Sequence, residues 1–348
     1  MLEPKTRQTL DGLKAKVANM VLSDNVAGAG VAGEEDAGAV QVAGAGATAE
    51  RAAVASAAGV AGEGAAASAI EAAGENAVAG AAFGSVTSAS ASSTAYALIT
   101  GATGGLGRSL SREFAREGQP LALVGRNRKK LAALADELAS EFSVDVQVFA
   151  VDFAEPSAAE ALAAEVKAAG VQVETLVNNA GFGYDAPFAE SDIARQRALV
   201  QTNDAALMEL CHAFAPDMAA RGHGGILNVA SIAGFVPGPY MATYYASKAF
   251  VQSFSQALRV ELKSYGVHVT ALCPGPVRTP FWDNADAGNI ALARLTLEAP
   301  RVARAAVKAL GANKPICCPG FLAKFVVFGS RFVPRTWAAS AAAALQRK

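Results

Sequence analysis

The segment YMATYYASKAF, residues 240–250, holds three tyrosines and one lysine. Tyr244 precedes Lys248 by four residues, a spacing that places both side chains on one face of a helix. Tyr245 would point about 100° away around the same helix. A nearby ammonium favours the phenolate and lowers the pKa of a phenol, which is ordinarily near ~10. The spacing therefore predicts proton chemistry at Tyr244, with Lys248 beside it.

A glycine-rich turn, TGATGGLG at residues 100–107, stands between an apolar strand and a predicted helix. Gly101, Gly105 and Gly107 have the spacing G-x-x-x-G-x-G. Small residues here let backbone N–H groups approach a pyrophosphate, and the helix N-terminus adds a favourable dipole. Such glycines also occur in plain turns, but the strand–turn–helix context favours a dinucleotide site.

The end of the second predicted strand indicates which dinucleotide is preferred. An NAD site usually has an acidic residue about 20 residues after the glycines, where it holds the ribose 2′-hydroxyl. No acidic residue lies between Gly118 and Ala135, and GRNRKK places Arg126 at the strand end. A guanidinium can bind a 2′-phosphate bidentately, whereas a carboxylate would repel it. We therefore expect NADP(H), with NAD(H) as the alternative. If the basic run has no role in binding, it is simply the solvated start of a helix.

The elements that must position these residues alternate from Tyr96 onward. Apolar strands without polar alternation are predicted in AYALIT, PLALVGR, VDVQVFAVD, VETLVNNAG, GGILNVAS, VHVTALCPG and PICCP. Predicted helices occupy about 106–117, 128–141, 192–220, 243–265 and 300–310, with another after Pro156. This pattern indicates a parallel sheet covered on both faces. With right-handed crossovers it predicts an α/β, doubly wound Rossmann fold of about seven strands.

Composition excludes several classes of function. The net charge is −1 and no long basic run occurs, so a nucleic-acid partner is not expected. The sequence contains no stretch of about 18 strongly apolar residues, so a membrane span is not expected. The four cysteines form no C-x-x-C pair and the three histidines are scattered, so no metal site is expected. Free thiols and the lack of a secretory signal favour the cytoplasm.

Residues 1–94 differ sharply from the remainder. They are rich in Ala and Gly, Phe83 is their only aromatic residue, and acidic residues outnumber basic ones. Such a composition offers little bulk to offset chain entropy, so we predict a mostly disordered, low-complexity extension. Apolar residues at helical spacing near 8–22 could form a short amphipathic helix, whose alternative role is docking to a partner or contact with a membrane surface. Residues 95–348 are predicted to be the catalytic domain.

Residues 95–348 resemble the single-domain form of the short-chain dehydrogenase/reductase family. The resemblance rests on seven motifs that occur in the family's order and spacing. They are TGATGGLG at 100–107, VD at 151–152, NNAG at 178–181, QTN at 201–203, NVAS at 228–231, YYASK at 244–248 and PGPVRT at 274–279. None of residues 1–94 takes part in it.

The resemblance implies a four-residue catalytic site, carried over as Asn203, Ser231, Tyr244 and Lys248. The family's serine precedes its tyrosine by 13 residues, the interval from Ser231 to Tyr244, so this spacing also selects Tyr244. In the family, the tyrosine is the general acid or base for a carbonyl that takes hydride from nicotinamide. Serine polarises that carbonyl, lysine also bonds the nicotinamide ribose, and asparagine anchors a water in a proton relay.

The resemblance also implies a set of cofactor contacts. The glycine turn and its neighbours would hold the pyrophosphate, and Asp152 with Phe153 would contact adenine. Asn178–Gly181 would line the dinucleotide and steady the sheet, and the loop at 274–279 would contact the carboxamide, best through Thr279. The cofactor-binding residues expected are Thr100, Gly101, Thr103, Gly105, Leu106, Gly107, Arg126, Asp152, Phe153, Asn179, Ala180, Gly181, Tyr244, Lys248, Pro274, Gly275, Val277 and Thr279.

Aromatic residues in the loops beyond the strand ends suggest an apolar substrate wall: Phe182, Tyr184, Phe235, Tyr240, Phe281 and Trp282. A hydrophobic ketone or aldehyde is therefore the expected substrate, reduced to an alcohol or formed in the reverse reaction. The alternative function is a catalytically silent dinucleotide-binding regulator or scaffold. Members of the family commonly form dimers or tetramers, so the resemblance also implies a homodimer or homotetramer. The apolar segment 319–335 has two interpretations, packing on protein, which is favoured, or peripheral contact with a membrane.

Overall fold

The computed structural model describes residues 95–279, Phe281 and residues 296–346. The predicted disordered extension at 1–94, its possible helix near 8–22, and Trp282 lie outside these residues.

Seven parallel strands form one sheet, and two further strands of two residues each form a separate pair. The strands are β1 (Ala95–Thr100), β2 (Leu121–Gly125), β3 (Val146–Ala150), β4 (Gln172–Asn178), β5 (Gly224–Val229), β6 (Val267–Leu272), β7 (Val277–Arg278), β8 (Leu297–Glu298) and β9 (Ile316–Cys317). The large sheet has the order β3-β2-β1-β4-β5-β6-β9. The predicted α/β, doubly wound parallel sheet is confirmed.

Nine α-helices connect and cover the strands in the described part of the chain. They are α1 (Gly105–Arg116), α2 (Arg128–Phe142), α3 (Ala158–Ala168), α4 (Ile193–Val200), α5 (Ala206–Arg221), α6 (Ala242–Leu262), α7 (Ala299–Gly311), α8 (Phe321–Gly329) and α9 (Arg335–Gln346). The single long helix predicted over 192–220 is interrupted, because a π-helical turn at Gln201–Ala205 separates α4 from α5. Helices α8 and α9 were not predicted.

Both faces of the sheet are buried, which explains why the strands lack polar alternation. In β1, Leu98 points into one core and Ile99 into the other. The first core contains apolar residues of α3, α5 and α6, and the second contains those of α1, α2 and α7. At about 25 cal/mol per Å² of buried apolar surface, these layers are the main source of stability.

A ladder of buried polar side chains joins the middle strands to α6. Asn178 on β4 donates to the Asn228 side chain on β5 at 2.9 Å, and Asn228 donates to the Ser255 hydroxyl at 3.0 Å. Ser255 then donates to the Val251 carbonyl, at 2.6 Å, within α6. Because a buried polar group left without a partner is costly, this ladder sets the position of α6 against the sheet.

Within the described residues, no helix combines the length and apolarity that crossing a membrane requires. The same residues contain no group of three or more His, Cys, Asp or Glu side chains placed to hold a metal ion.

Candidate active site

A cleft of about 1310 Å³ lies at the carboxyl ends of the central strands. The cleft lies at the point between β1 and β4 where the strand order reverses direction. Ligands bind at this point in such sheets. Of the predicted catalytic and cofactor-binding residues, all except Thr100 and Asn203 line it. Both exceptions are buried directly behind its surface.

The glycine turn forms one end of the cleft, and its backbone leaves no room for side chains. A Cβ atom on Gly107 would lie 2.1 Å from the Gly101 carbonyl oxygen, and one on Gly105 would lie 2.5 Å from Thr279 Cγ2. Gly101 itself has φ +63°, a left-handed conformation that favours glycine. Helix α1 starts here, and its N-cap residue Gly104 offers no side-chain cap. The open N–H groups of the first turn therefore suit an anion such as pyrophosphate.

Thr100 acts from behind this turn rather than in the cleft. Its hydroxyl accepts hydrogen bonds from the backbone N–H groups of Asn179 and Ala180, each at 2.9 Å. In addition, the Asn179 side chain donates a hydrogen bond to the Thr100 carbonyl at 2.9 Å. Two loops from neighbouring strands, β1 and β4, are therefore held together at the point where a dinucleotide would cross the sheet.

The other side of the glycine turn combines basic side chains with a carboxylate. Arg126, exposed at the end of β2, lines the cleft together with Asn127 and Lys130. The Asn127 side chain accepts from the Lys130 N–H at 3.0 Å and caps α2, which fixes the direction of this basic segment. Asp152 lies on the cleft wall and accepts from the Ala154 N–H at 3.1 Å. This end can hold an adenosine with a negatively charged substituent.

Ser231, Tyr244 and Lys248 meet at the opposite end of the cleft. Ser231 follows β5 and caps a short 3₁₀ helix at Ile232–Phe235 by accepting from the Ala233 N–H at 3.1 Å. Tyr244 and Lys248 lie one turn apart on α6, and the Lys248 Nζ is 5.8 Å from the centre of the Tyr244 ring. The local spacing recognised in the sequence thus brings these groups together as predicted.

The charge state of Tyr244 differs from the expectation. Burial raises the pKa of the Tyr244 phenol well above its ordinary value, and a hydrogen bond with Ser231 only partly opposes this. Burial outweighs the lowering expected from Lys248, whose Nζ donates to the Val229 carbonyl at 2.9 Å. The phenol is therefore protonated at neutral pH, as a proton donor must be.

Burial also alters Lys248. It lowers the pKa of the ammonium to about 8, although the charges of Asp204 and Cys273 oppose the change. A lysine with this pKa changes protonation state near neutral pH, so it can take up and release protons in the working range.

Asn203 is buried in the π-helical turn between α4 and α5. Its amide accepts from the Phe182 N–H and donates to the Phe182 carbonyl, both at 3.0 Å. It also donates to the Ser247 hydroxyl on α6 at 3.1 Å. Asn203 therefore ties the loop after β4 to the helix that carries Tyr244 and Lys248.

The substrate end is apolar, but only part of the predicted wall forms it. Phe182 and Phe281 line the cleft, and Phe281 lies 5.6 Å from Tyr244 between ring centres. Among the described residues of that prediction, the following do not line it: Tyr184, Phe235 and Tyr240. Tyr245, expected to pack on another face, also lines the cleft, and its ring meets that of Tyr244 edge-on at 6.1 Å.

Two parts of the site escaped the sequence analysis. The first is formed by Val326 of α8 and Ala342 of α9, which also line the cleft and which we call the roof. The second is Asp204, whose Oδ1 is buried without a hydrogen-bond partner. Burial raises the pKa of the Asp204 carboxyl to about 6, while the Lys248 charge lowers it. Its position directly after Asn203 was the available signal.

Asp204→Asn is expected to raise the free energy of unfolding by about 1–2 kcal/mol at pH 8, because solvent screening reduces the effect of a carboxyl that is only partly buried. The folded-state pKa of about 6 lies above the ordinary 3.8. The loss of stability caused by ionising the buried carboxyl is therefore complete above about pH 6, and no such loss occurs below about pH 4. The gain should be much smaller at pH 4.5. Urea unfolding at both pH values measures it, with the exposed Asp217→Asn on α5 as control. Equal gains at the two pH values would contradict the assignment.

Comparisons with known proteins agree with this architecture. The model of the short chain dehydrogenase family matches residues 95–289. Sulfoacetaldehyde reductase 2 of Chromohalobacter salexigens is 40% identical over 53% of this chain and 73% of its own length. The very-long-chain 3-oxoacyl-CoA reductase of Bos taurus is 33% identical over 54% of this chain. That match covers 63% of the bovine protein, which is less than two thirds.

Solved structures give the same result. The short-chain dehydrogenase from Sphingobium yanoikuyae in complex with NADPH is 31% identical, with a TM-score of 0.62, over 68% of this chain and 94% of that one. The bulky-bulky ketone specific alcohol dehydrogenase from Comamonas testosteroni is 28% identical, with a TM-score of 0.58, over 66% and 87% of the two chains. The chain therefore belongs to the short-chain dehydrogenase family and is an NAD(P)-using oxidoreductase that acts on C=O or CH–OH groups.

Proposed function

We propose that this protein reduces a hydrophobic ketone or aldehyde with NADPH, using Tyr244 as the proton donor. The observation that carries the proposal is the convergence of Ser231, Tyr244 and Lys248 at one end of a cleft whose other end is the glycine turn. A volume of about 1310 Å³ exceeds that of most small-ligand pockets, roughly 300–1000 Å³, so cofactor and substrate fit together.

The residues present fit a dinucleotide. The turn at Gly101–Gly107 has no space for a Cβ atom at two of its glycines, which is the close backbone approach that a pyrophosphate needs. Thr279 lies against Gly105 and lines the cleft near Pro274 and Gly275. When bound, the nicotinamide supplies or accepts a hydride.

The chain's own groups would handle the proton. In reduction, the carbonyl carbon gains the hydride and its oxygen develops negative charge. The Tyr244 hydroxyl donates its proton to that oxygen, and the Ser231 hydroxyl donates a hydrogen bond to it. Lys248 stabilises the phenolate that remains and, at a pKa of about 8, can pass a proton towards it. Asn203 holds the loop and helix on which these groups depend.

The preference for NADPH rests on Arg126 and Lys130. Both line the cleft at the adenosine end. No acidic residue occupies the end of β2, so nothing there would repel a 2′-phosphate.

Arg126→Asp is expected to lower the ratio of kcat/KM for NADPH to that for NADH by about 10- to 100-fold, the worth of a charge-assisted hydrogen-bond pair. Steady-state assays with both coenzymes measure the ratio. Arg128→Asp is the matched control, since Arg128 carries the same charge two residues away but does not line the cleft. If both variants changed the ratio equally, the effect would be long-range charge and not contact with the phosphate.

The substrate class follows from an apolar cleft end formed by Phe182, Met241, Phe281 and the roof. A second candidate is a short anionic aldehyde, because Arg195 also lines the cleft and a relative is named for sulfoacetaldehyde. NADPH consumption with matched apolar and sulfonated carbonyl compounds separates the two. Coenzyme binding without turnover on any of them would instead support a silent regulator.

Self-association is proposed to use α4, α5 and α6. Each exposes large apolar side chains on its outer surface, including Val200, Met208 and Phe250. Such residues are typical of a homo-oligomeric interface.

A further inference from the structure

Four phenylalanines form an exposed stripe on α8 and the turn after it. Phe321, Phe325, Phe328 and Phe332 follow the spacing of one helical face. Their exposed fractions are 75%, 59%, 63% and 72%, which is far from the buried state usual for phenylalanine. Phe321 stacks on Phe325 with ring centres 6.5 Å apart, and Phe328 meets Phe332 at 5.1 Å. We call these four residues the aromatic stripe.

Helix α8 is held in place from its other side. Ala323 is buried and Val326 lines the cleft, so the inner face already packs on the protein. Trp337, at the start of α9, is also 50% exposed. The aromatic stripe is therefore a fixed outer surface and does not result from an undocked helix.

The charged residues of the segment that carries the aromatic stripe have one sign. No acidic residue follows Glu298 in the sequence, and the exposed residues Lys324, Arg331 and Arg335 are interleaved with the phenylalanines. Aromatic residues beside lysine and arginine are typical of helices that lie in the interface of an anionic membrane. A second copy of the same surface would instead place like charges opposite one another.

We propose that the aromatic stripe, with Lys324, Arg331 and Arg335, binds the surface of a membrane that contains anionic lipids. The phenylalanines would enter the region between headgroups and acyl chains, while the basic side chains would contact lipid phosphates. Helix α8 would lie parallel to the membrane plane. Of the two sequence interpretations of residues 319–335, the exposure and charge of these side chains support the membrane contact. The proposal is independent of the substrate.

Co-sedimentation of the full chain with lipid vesicles tests this. Vesicles of phosphatidylcholine with phosphatidylglycerol should bind the protein, and vesicles of phosphatidylcholine alone should bind it at least about tenfold more weakly. Phe325→Ser combined with Phe328→Ser should lower the partition coefficient by about tenfold or more. Lys324→Glu combined with Arg331→Glu should do the same on the anionic vesicles only.

Matched controls change the same number of exposed residues elsewhere. Val260→Ser with Tyr265→Ser removes two exposed apolar side chains at the end of α6 remote from Tyr244. Lys167→Glu with Lys263→Glu reverses two exposed charges. Both controls should bind anionic vesicles like the wild type. Because the charge variants alter only exposed side chains, they test the proposal even if the phenylalanine variant unfolds.

Two outcomes would overturn the proposal. One is equal binding of the wild type to both vesicles, and the other is its failure to bind either vesicle. In the second case, sedimentation without lipid could also show a loss of oligomer mass in the phenylalanine variant. That last result would assign the surface to a second copy of the chain.

Discussion

Tyr244→Phe is expected to lower kcat for carbonyl reduction by about 10²- to 10⁴-fold, the usual contribution of a general acid. The substitution removes only the hydroxyl, which the structure places beside Ser231 in the cleft. The buried phenol is protonated at neutral pH and can give its proton to the developing alkoxide. The variant lacks this proton source. Stopped-flow or steady-state measurement of NADPH oxidation gives the rate.

Tyr245→Phe is a demanding control, since Tyr245 also lines the cleft and its ring touches that of Tyr244. It should change kcat by no more than a few fold. Coenzyme binding, followed by fluorescence, should survive in both variants. If Tyr245→Phe abolished turnover while Tyr244→Phe did not, the two tyrosines would have to exchange roles.

Gly107→Ala is expected to destabilise the glycine turn by about 1–3 kcal/mol and to weaken NADPH binding at least about tenfold. The added Cβ would lie 2.1 Å from the Gly101 carbonyl oxygen and 2.7 Å from Asn179 Nδ2. Backbone must move to accommodate it, and Asn179 is one of the residues that joins the loops after β1 and β4. Urea unfolding and coenzyme titration measure the two effects.

Gly311→Ala provides the contrast. A Cβ on Gly311, the last residue of α7, meets no atom within 4 Å, and the substitution lies at a helical position. It should leave coenzyme binding unchanged and raise stability by about 0.4–1 kcal/mol through the unfolded chain. If Gly107→Ala bound NADPH and unfolded like Gly311→Ala, the turn would tolerate a methyl group and its tight packing would not be what binding requires.

Local spacing was the most informative part of the sequence. The interval from Tyr244 to Lys248 predicts one helical face, and α6 provides it. The glycines, Arg126 and Asp152 follow strand ends, and the parallel sheet brings all strand ends to one edge. Motifs of this kind carry their geometry with them, so the fold and most of the cleft could be derived before any coordinates.

The properties of the site that could not be predicted from the sequence depend on contacts between residues that are far apart in the chain. The raised pKa of Tyr244 depends on how many groups bury it, and the partner of Lys248 is a carbonyl on β5. Val326 and Ala342 reach the cleft from helices far along the chain. Neither a neighbour in sequence nor a residue type signals such contacts, which is also why Tyr245 was expected to face away.

The π-helical turn at Gln201–Ala205 has a consequence for how this chain can change length. A turn of this kind is an α-helix that carries one extra residue, and it sacrifices regular hydrogen bonding. Deleting a single residue from it would restore a continuous and locally more favourable helix joining α4 to α5. The same deletion would shift the positions of the residues within the turn around the helix axis and would carry the Asn203 amide away from Phe182 and Ser247. Selection for helix stability and selection for turnover therefore act in opposite directions on the length of this one segment.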